Sequence, residues 1–347
     1  MKIIRLETEL YIAPPPERPI TDALRANRHP GRVFVKVHTD KGLVGSSAVG
    51  FSSIRGANQT LQTMLDEEVA PLLVGRDPLA IRLIDEDLRR ALEEQAIHGM
   101  TMYVLTAVNV ALWDIFGQET GQPAHRLVGQ AKDRVPAYTM VGWMHLDLDE
   151  LKEVCAQAAE QGFKAVKVKV GSPTLEEDIQ RLETIRAEIG PDITIMVDAN
   201  QTLTVYEALR RGQVFQEMGV FWLEEPLPAH NYDDYAELAH GLAMPIATGE
   251  NLYGKEEFKE LLVRRGIDIV QVDLARLGGF SECVATGLLA AAFGVPCCTH
   301  GGGLINLNIL CALPNTLYLE TGLLTDEERD HFVDGCFLAP EGAGFSW

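Results

Sequence analysis

The chain has 347 residues, 46% of them apolar, enough to build a sizeable core in one large domain or two moderate ones. Its 30 basic and 50 acidic residues give a formal charge of −20, which argues against nucleic acid as a partner, because phosphate backbones are held by basic patches. No apolar run reaches the roughly 18 residues of a membrane span, and Met1-Lys2-Ile3-Ile4-Arg5 lacks a signal peptide's apolar stretch, so a cytoplasmic protein with no membrane partner is expected.

In chain order, Val33-Phe34-Val35-Lys36-Val37-His38 reads as a strand and Asp40-Lys41-Gly42 as the tight turn that ends it. From about Ala57 to Gly117 the pattern is helical, with Ala107, Val108, Ala111, Leu112 and Ile115 on one face. Strands followed by helices predict an α+β unit over residues 1–125. Within it, Pro14–Arg32 is a long polar loop in which Arg18, Arg25, Arg28 and Arg32 outnumber Glu17 and Asp22, a local positive patch in an acidic chain. Long loops of this kind often serve as lids.

From Val135 the texture changes to eight short apolar runs separated by helical stretches: Val135–Val141, Phe163–Val170, Ile193–Val197, Val220–Leu223, Pro245–Thr248, Ile267–Val272, Val295–Thr299 and Thr316–Leu319. Alternation of this kind predicts parallel β/α units, and eight of them predict a closed barrel over residues 126–320. An open doubly wound sheet would need a Gly-rich turn after its first strand, and Val141-Gly142-Trp143-Met144-His145 is not one. Residues 321–347 are too few for another domain and are expected to pack back on the N-terminal unit. The six cysteines show no C-x-x-C spacing, so reduced, buried thiols are expected in place of a zinc site or disulfides.

Charged residues recur at the ends of seven of these runs: Lys167 and Lys169, Asp198, Glu224, Glu250, Asp273, His300 and Glu320. Active sites of parallel barrels are built at that face. Asp198, Glu224 and Glu250 lie on consecutive strands, 26 residues apart each time, and three carboxylates in one pocket cannot all ionise without a cation between them. Oxygen ligands favour Mg²⁺ over zinc, and such an ion supplies the positive charge a small anionic substrate would need on an acidic protein. Lys167 and Lys169 are two apart and share a strand face, so their mutual repulsion is expected to lower the pKa of at least one and make it a usable base. Asp273 and His300 on adjacent strand ends suggest a carboxylate that fixes the imidazole's tautomer and raises its basicity. Glu320, if kept protonated by the surrounding acids, could donate a hydrogen bond to a developing oxyanion.

His300-Gly301-Gly302-Gly303 looks like a lipase oxyanion turn, but nothing downstream supplies a G-x-S-x-G elbow, and Gly45-Ser46-Ser47 and Ser52-Ser53 lack the flanking glycines. A serine hydrolase is rejected on that ground.

Together, the K-x-K of Phe163–Gly171, Val197-Asp198-Ala199-Asn200, Trp222-Leu223-Glu224-Glu225-Pro226, Gly249-Glu250-Asn251, Asp273, His300 and Glu320 resemble the mandelate racemase group of the enolase superfamily, over nearly the whole chain. The resemblance implies an α/β fold, a modified (β/α)7β barrel carrying an α+β capping domain, with Mg²⁺ held by Asp198, Glu224 and Glu250. It implies that Lys169 is one base and His300, supported by Asp273, the base on the opposite face. Lys167 would neutralise the substrate carboxylate, Glu320 would donate to the enolate oxygen, and Asn200 would contact substrate or metal. The loop at residues 14–32 would close over the substrate, bringing up Arg18, Arg25 and Arg28. The activity implied is abstraction of the α-proton of a small carboxylate through a metal-stabilised enolate, and the relatives are homo-oligomers. A polar lid favours a sugar-acid dehydratase; a racemase, epimerase or cycloisomerase of a 2-hydroxy acid or sugar acid is the alternative, and a barrel that only binds a metabolite is a remote one.

Overall fold

The computed structural model describes residues 1–347. Its N-terminal unit is an antiparallel sheet of β1 (Ile3–Ile12), β2 (Gly31–Thr39) and β3 (Val44–Val49) in that order. In β2 the alternation is clean: Val33, Val35 and Val37 are buried while Phe34 and Lys36 face outward, as expected for a sheet with one covered face. The covering element is the helix Met100–Thr120. It comes so close that a Cβ on Gly45 would stand 1.9 Å from the Ala111 carbonyl oxygen. This helix is long and apolar enough to cross a bilayer by length and composition, yet 78% of its apolar window is buried inside the protein, which is how a core helix reads.

The second unit is a barrel of eight parallel strands: β4 (Arg134–Gly142), β5 (Ala165–Lys169), β6 (Thr194–Asp198), β7 (Leu223–Glu224), β8 (Ile246–Thr248), β9 (Ile269–Asp273), β10 (Cys297–His300) and β11 (Leu319–Thr321). Neighbours pair in chain order, and β11 returns to β4. The last seam, between β10 and β11, is made by the bridge of Cys297 with Thr316 and by Leu317 N–H donating to Cys297 O at 2.9 Å. Helices cross back over the outside after each of the first seven strands, which gives the (β/α)7β arrangement.

The barrel's interior explains where the polar residues come from. Tyr138, Ala165, Met196, Trp222, Ala247, Ile269 and Cys298 form one inward layer, a separate apolar cluster inside the strands. Side chains on a strand face the same way every second residue. Two positions beyond Ala165, Met196, Trp222 and Cys298 stand Lys167, Asp198, Glu224 and His300, so the charged layer is the next storey of the same stack. Most of the apolar runs began too early and stopped short of the charged group, as in the fourth, expected at Val220–Leu223 and found at Leu223–Glu224, although the second, Phe163–Val170, already took in Lys167 and Lys169. Asp198, Asp273 and His300 belong to their strands because each is paired across the sheet, Asp198 between Lys169 and Glu224 and His300 beside Asp273.

The C-terminal residues serve both units. The hairpin of β12 (Phe332–Val333) and β13 (Cys336–Leu338) lies antiparallel along β4. Further on, Gly344 exchanges hydrogen bonds with Gln122 and Ala124, and Phe345 packs edge-on to Phe280.

The loop leaving β5 is fixed by a buried ion pair. Fully buried Asp178 accepts from Gly171 N–H at 3.1 Å, Ser172 N–H at 3.0 Å and Arg211 Nη1 at 2.7 Å. Removing one partner of a buried pair leaves an uncompensated charge and costs about 3–5 kcal/mol. Arg211→Met is therefore expected to lower the urea unfolding midpoint by an amount equivalent to about 3–5 kcal/mol; a change under about 1 kcal/mol would mean the pair does not support this loop.

Candidate active site

Single carboxylate oxygens of Asp198, Glu224 and Glu250 lie within 4.8 Å of one another, and all three residues are buried. Glu250 is aimed by its neighbour: Gly249 sits at φ 132°, and a Cβ there would meet Phe258 at 2.5 Å and the Gln271 carbonyl at 2.6 Å. Only glycine fits that combination of backbone and space. On the adjoining turns Asn200 (φ 43°), Gln201 (φ 64°) and Glu225 (φ 38°) adopt left-handed backbone, a strained conformation for such residues and one that collects at functional sites.

Burial pushes the Glu224 carboxyl up to about 8, against the pull of Lys167. Its Oε1 takes Lys167 Nζ at 2.6 Å, and its Oε2 takes Gln271 Nε2 at 2.7 Å and Trp222 Nε1 at 3.2 Å. Burial would raise Asp198 too, but Lys169 and Lys167 together hold it below the usual carboxylate range. Glu225, beside Glu224 in sequence, is pushed well up by burial and by Glu250, and accepts from Asn251 Nδ2 at 2.6 Å.

The two lysines depart from expectation. Burial favours their neutral forms, but the facing acids win: Glu224 and Glu320 raise Lys167, and Asp198 raises Lys169 against the opposing push of Lys167, so the repulsion between the two does not bring either below its ordinary value. Lys167 is fully buried beneath the cavity with Glu224 and Glu320, whereas Lys169 lines the cavity and hydrogen-bonds Asp198. The expectation of a protonated Glu320 is also corrected. Burial raises it, but Lys167, His300 and Tyr138 outweigh burial and hold it down at about 2. Its Oε2 accepts from Tyr138 Oη at 2.7 Å and Lys167 Nζ at 2.8 Å, so it is an ionised acceptor.

His300 Nδ1 lies 2.6 Å from Asp273 Oδ2, and its Nε2 lies 3.4 Å from Glu250 Oε2. Burial opposes protonation of the ring, but Glu250 and Asp273 raise it to about 10, and burial of Asp273 is overcome by His300 and Arg276, which hold it at about 2. Arg276, three residues beyond Asp273, donates to it and, at 2.7 Å, to the backbone oxygen of Glu250, tying the His–Asp pair to the carboxylate cluster.

One cavity of about 500 Å³ gathers Lys169, Asn200, Glu250, Asp273 and His300 with Arg276, Trp143, Tyr103 and Tyr253. Further lining comes from the polar loop and the turn after β3: Asp22, Arg25, Asn27, Phe51, Ser52 and Ser53. Of the three lid arginines, only Arg25 is there. Arg18 instead clamps the loop to the barrel, pairing with Glu150 and the His145 carbonyl, and Arg28 is exposed and does not line the cavity. The loop is docked by Met144 N–H to Thr21 O at 3.0 Å and by His29 N–H to Ser52 O at 2.8 Å. Tyr138, Gln271, Arg276 and the wall residue Asn27 were not singled out from sequence, and Ser52 and Ser53 entered there only as a nucleophile elbow that was rejected. Glu225 was visible only as the second half of Glu-Glu-Pro, and Arg276 only by its place one turn after Asp273.

The donor set fits a hard divalent cation. Three buried carboxylates converge, and two further buried oxygens, Asn200 Oδ1 and Glu225 Oε1, have no hydrogen-bond partner. All are oxygen donors, the chemistry of Mg²⁺ or Ca²⁺ and not of zinc.

Comparison with known proteins agrees with this geometry. The family model described as "Enolase C-terminal domain-like" matches residues 150–347, and "Mandelate racemase / muconate lactonizing enzyme, N-terminal domain" matches residues 7–129. Arabinonate dehydratase of Saccharolobus solfataricus is 34% identical, over 91% of this chain and 87% of that protein. A racemase from Streptomyces coelicolor with bound magnesium superposes with a TM-score of 0.91 at 26% identity, covering 99% of this chain and 96% of that one. L-Talarate dehydratase from Polaromonas, solved with Mg and L-glucarate, superposes at 0.89 with 27% identity, covering 99% and 94%.

A cation that binds only the folded carboxylate cluster must stabilise it. Mg²⁺ at about 100 times its dissociation constant should raise the unfolding free energy of chelator-treated protein by about 2.7 kcal/mol. Glu250→Gln should weaken that gain, read as a smaller shift in thermal midpoint. If neither Mg²⁺ nor Ca²⁺ moves the midpoint, the cluster is not a cation site.

Proposed function

The chain belongs to the mandelate racemase / muconate lactonizing enzyme family of the enolase superfamily, and from that premise we propose that it is a Mg²⁺-dependent sugar-acid dehydratase. We read residues 1–125 as its cap, 126–320 as its catalytic barrel and 321–347 as a tail serving both. The six free thiols suit a reducing cytoplasm. The observation that carries the reading is that Lys169 and His300, two bases on β5 and β10, line one cavity together with Glu250. A barrel that merely held a metabolite would have no use for opposed bases, one of them backed by a buried carboxylate.

When bound to Asp198, Glu224 and Glu250, Mg²⁺ would neutralise the cluster and polarise the substrate carboxylate. Every other part of the reaction falls to the chain. Lys169 is ion-paired with Asp198, and burial favours its neutral form once that pairing is relieved. Neutral Lys169 Nζ takes the α-proton, and the C–H electron pair moves toward the carboxylate to give an aci-carboxylate. Protonated His300, charged through Asp273 and Glu250, gives its Nε2 proton to the β-hydroxyl. The C–O bond breaks with its electrons going to oxygen, water leaves, and the enol product becomes a 2-keto-3-deoxy acid. Asp273 and Arg276 position the imidazole. Lys167 and the ionised Glu320, with Tyr138 behind it, form the charged floor beneath the substrate.

The division of labour is testable with substrate in ²H₂O. His300→Asn should lose dehydration by about 10²–10⁴-fold, the usual share of a general acid, and keep α-deuterium exchange. Lys169→Ala should lose both. Normal turnover by His300→Asn would make the His–Asp pair structural and end this mechanism; accumulation of the epimer by wild-type protein, without the keto acid, would mark it as an epimerase.

A further inference from the structure

Sugar acids come as aldonates, with one carboxylate and a hydroxymethyl end, and as aldarates, with a carboxylate at each end. The part of the cavity wall contributed by the polar loop and the turn after β3 distinguishes them. Ser52 Oγ and Ser53 Oγ both donate to Asn27 Oδ1, at 3.0 and 3.1 Å. A hydroxyl has one proton, so both serines have spent theirs, and what they offer the cavity is lone pairs. Asn27 contributes its amide Nδ2, a neutral donor. Arg25 is the wall's only cation, and its charge is matched: Asp22 Oδ2 lies 3.4 Å from Arg25 Nε, and Asp22 Oδ1 accepts from Arg25 N–H at 2.7 Å. The wall thus carries no net charge and presents two acceptors, a neutral donor and a self-compensated ion pair.

A hydroxyl both donates and accepts, so it can give its proton to a serine oxygen while accepting from Asn27. A carboxylate accepts only; here it would meet serine lone pairs and the Asp22 carboxylate, with no unmatched cation to offset its desolvation. We propose that Asn27, Ser52 and Ser53 form a subsite for the hydroxymethyl terminus, and that the substrate is an aldonate and not an aldarate. The inference rests on the sugar-acid reading above and adds the class of acid.

The test compares five- and six-carbon aldonates with the matching aldarates on the Mg²⁺-loaded enzyme, following both 2-keto-3-deoxy acid formation and α-deuterium exchange. The best aldonate should exceed the best aldarate in kcat/KM by at least about 100-fold, within reach of a polar site that leaves a wrong group unpaired. Ser52→Ala/Ser53→Ala should lower aldonate kcat/KM by about tenfold or more, chiefly through KM, because these groups bind an end that does not react. Asp22→Asn, which removes the acid and unmasks Arg25, should narrow the aldonate-to-aldarate ratio by about tenfold. If aldarates react as well as aldonates, or better, the subsite is wrong while the proton-abstraction chemistry stands. An Asp22→Asn ratio equal to wild type also overturns it. If neither class exchanges its α-proton, the sugar-acid reading and this inference fall together.

Discussion

Three carboxylates held out of water within 4.8 Å of one another repel, and much of the structure exists to make that arrangement tolerable. Lys167 and Lys169 supply positive charge from below and beside; Gln271 and Trp222 supply neutral donors; Arg276 takes the Glu250 carbonyl. Each compensation is partial, as the Glu224 carboxyl raised to about 8 shows, and the cluster is complete only with a cation. Local strain follows from the same demand. Gly249 and the left-handed Asn200, Gln201 and Glu225 are what it takes to turn three strand ends inward at one point.

The barrel and the cap divide the work by stiffness. A closed sheet has no edge and fixes the heights of its side chains, so groups that must meet to within tenths of an ångström sit on β5 to β11 or, like Glu250, just beyond a strand end. The cap's share of the cavity lining is built from a loop and a turn, joined by short polar contacts such as Asn27 with Ser52 and Ser53. Loops change sequence without disturbing the core, so chemistry and selectivity can vary independently in such a molecule.

The charged strand ends could be read from the chain because their signal is local: an apolar run stops at an acid, a lysine pair or a histidine, and the interval repeats. Arg18, Arg25 and Arg28 carried no such signal, since three arginines in one loop look alike until the loop is folded. Arg18 turned out to face Glu150, 132 residues away, and only Arg25 reached the cavity. The protonation of Glu320 was misjudged for a related reason. Counting acids nearby predicts a raised carboxyl; the deciding partners, Lys167 and His300 with Tyr138 behind them, arrive from other strands.

The sequence by itself determined the alternation of strands and helices, hence the barrel, and the identity of the groups in its mouth, because strand periodicity and chain order are one-dimensional properties. Only the tertiary structure decided which groups are charged and which reach the cavity. Lys167 and Lys169 differ by two residues and share a face, yet one is buried among three carboxylates and the other lines the cavity. Charge state and access depend on what lies within a few ångströms in space, set here by neighbours dozens of residues away.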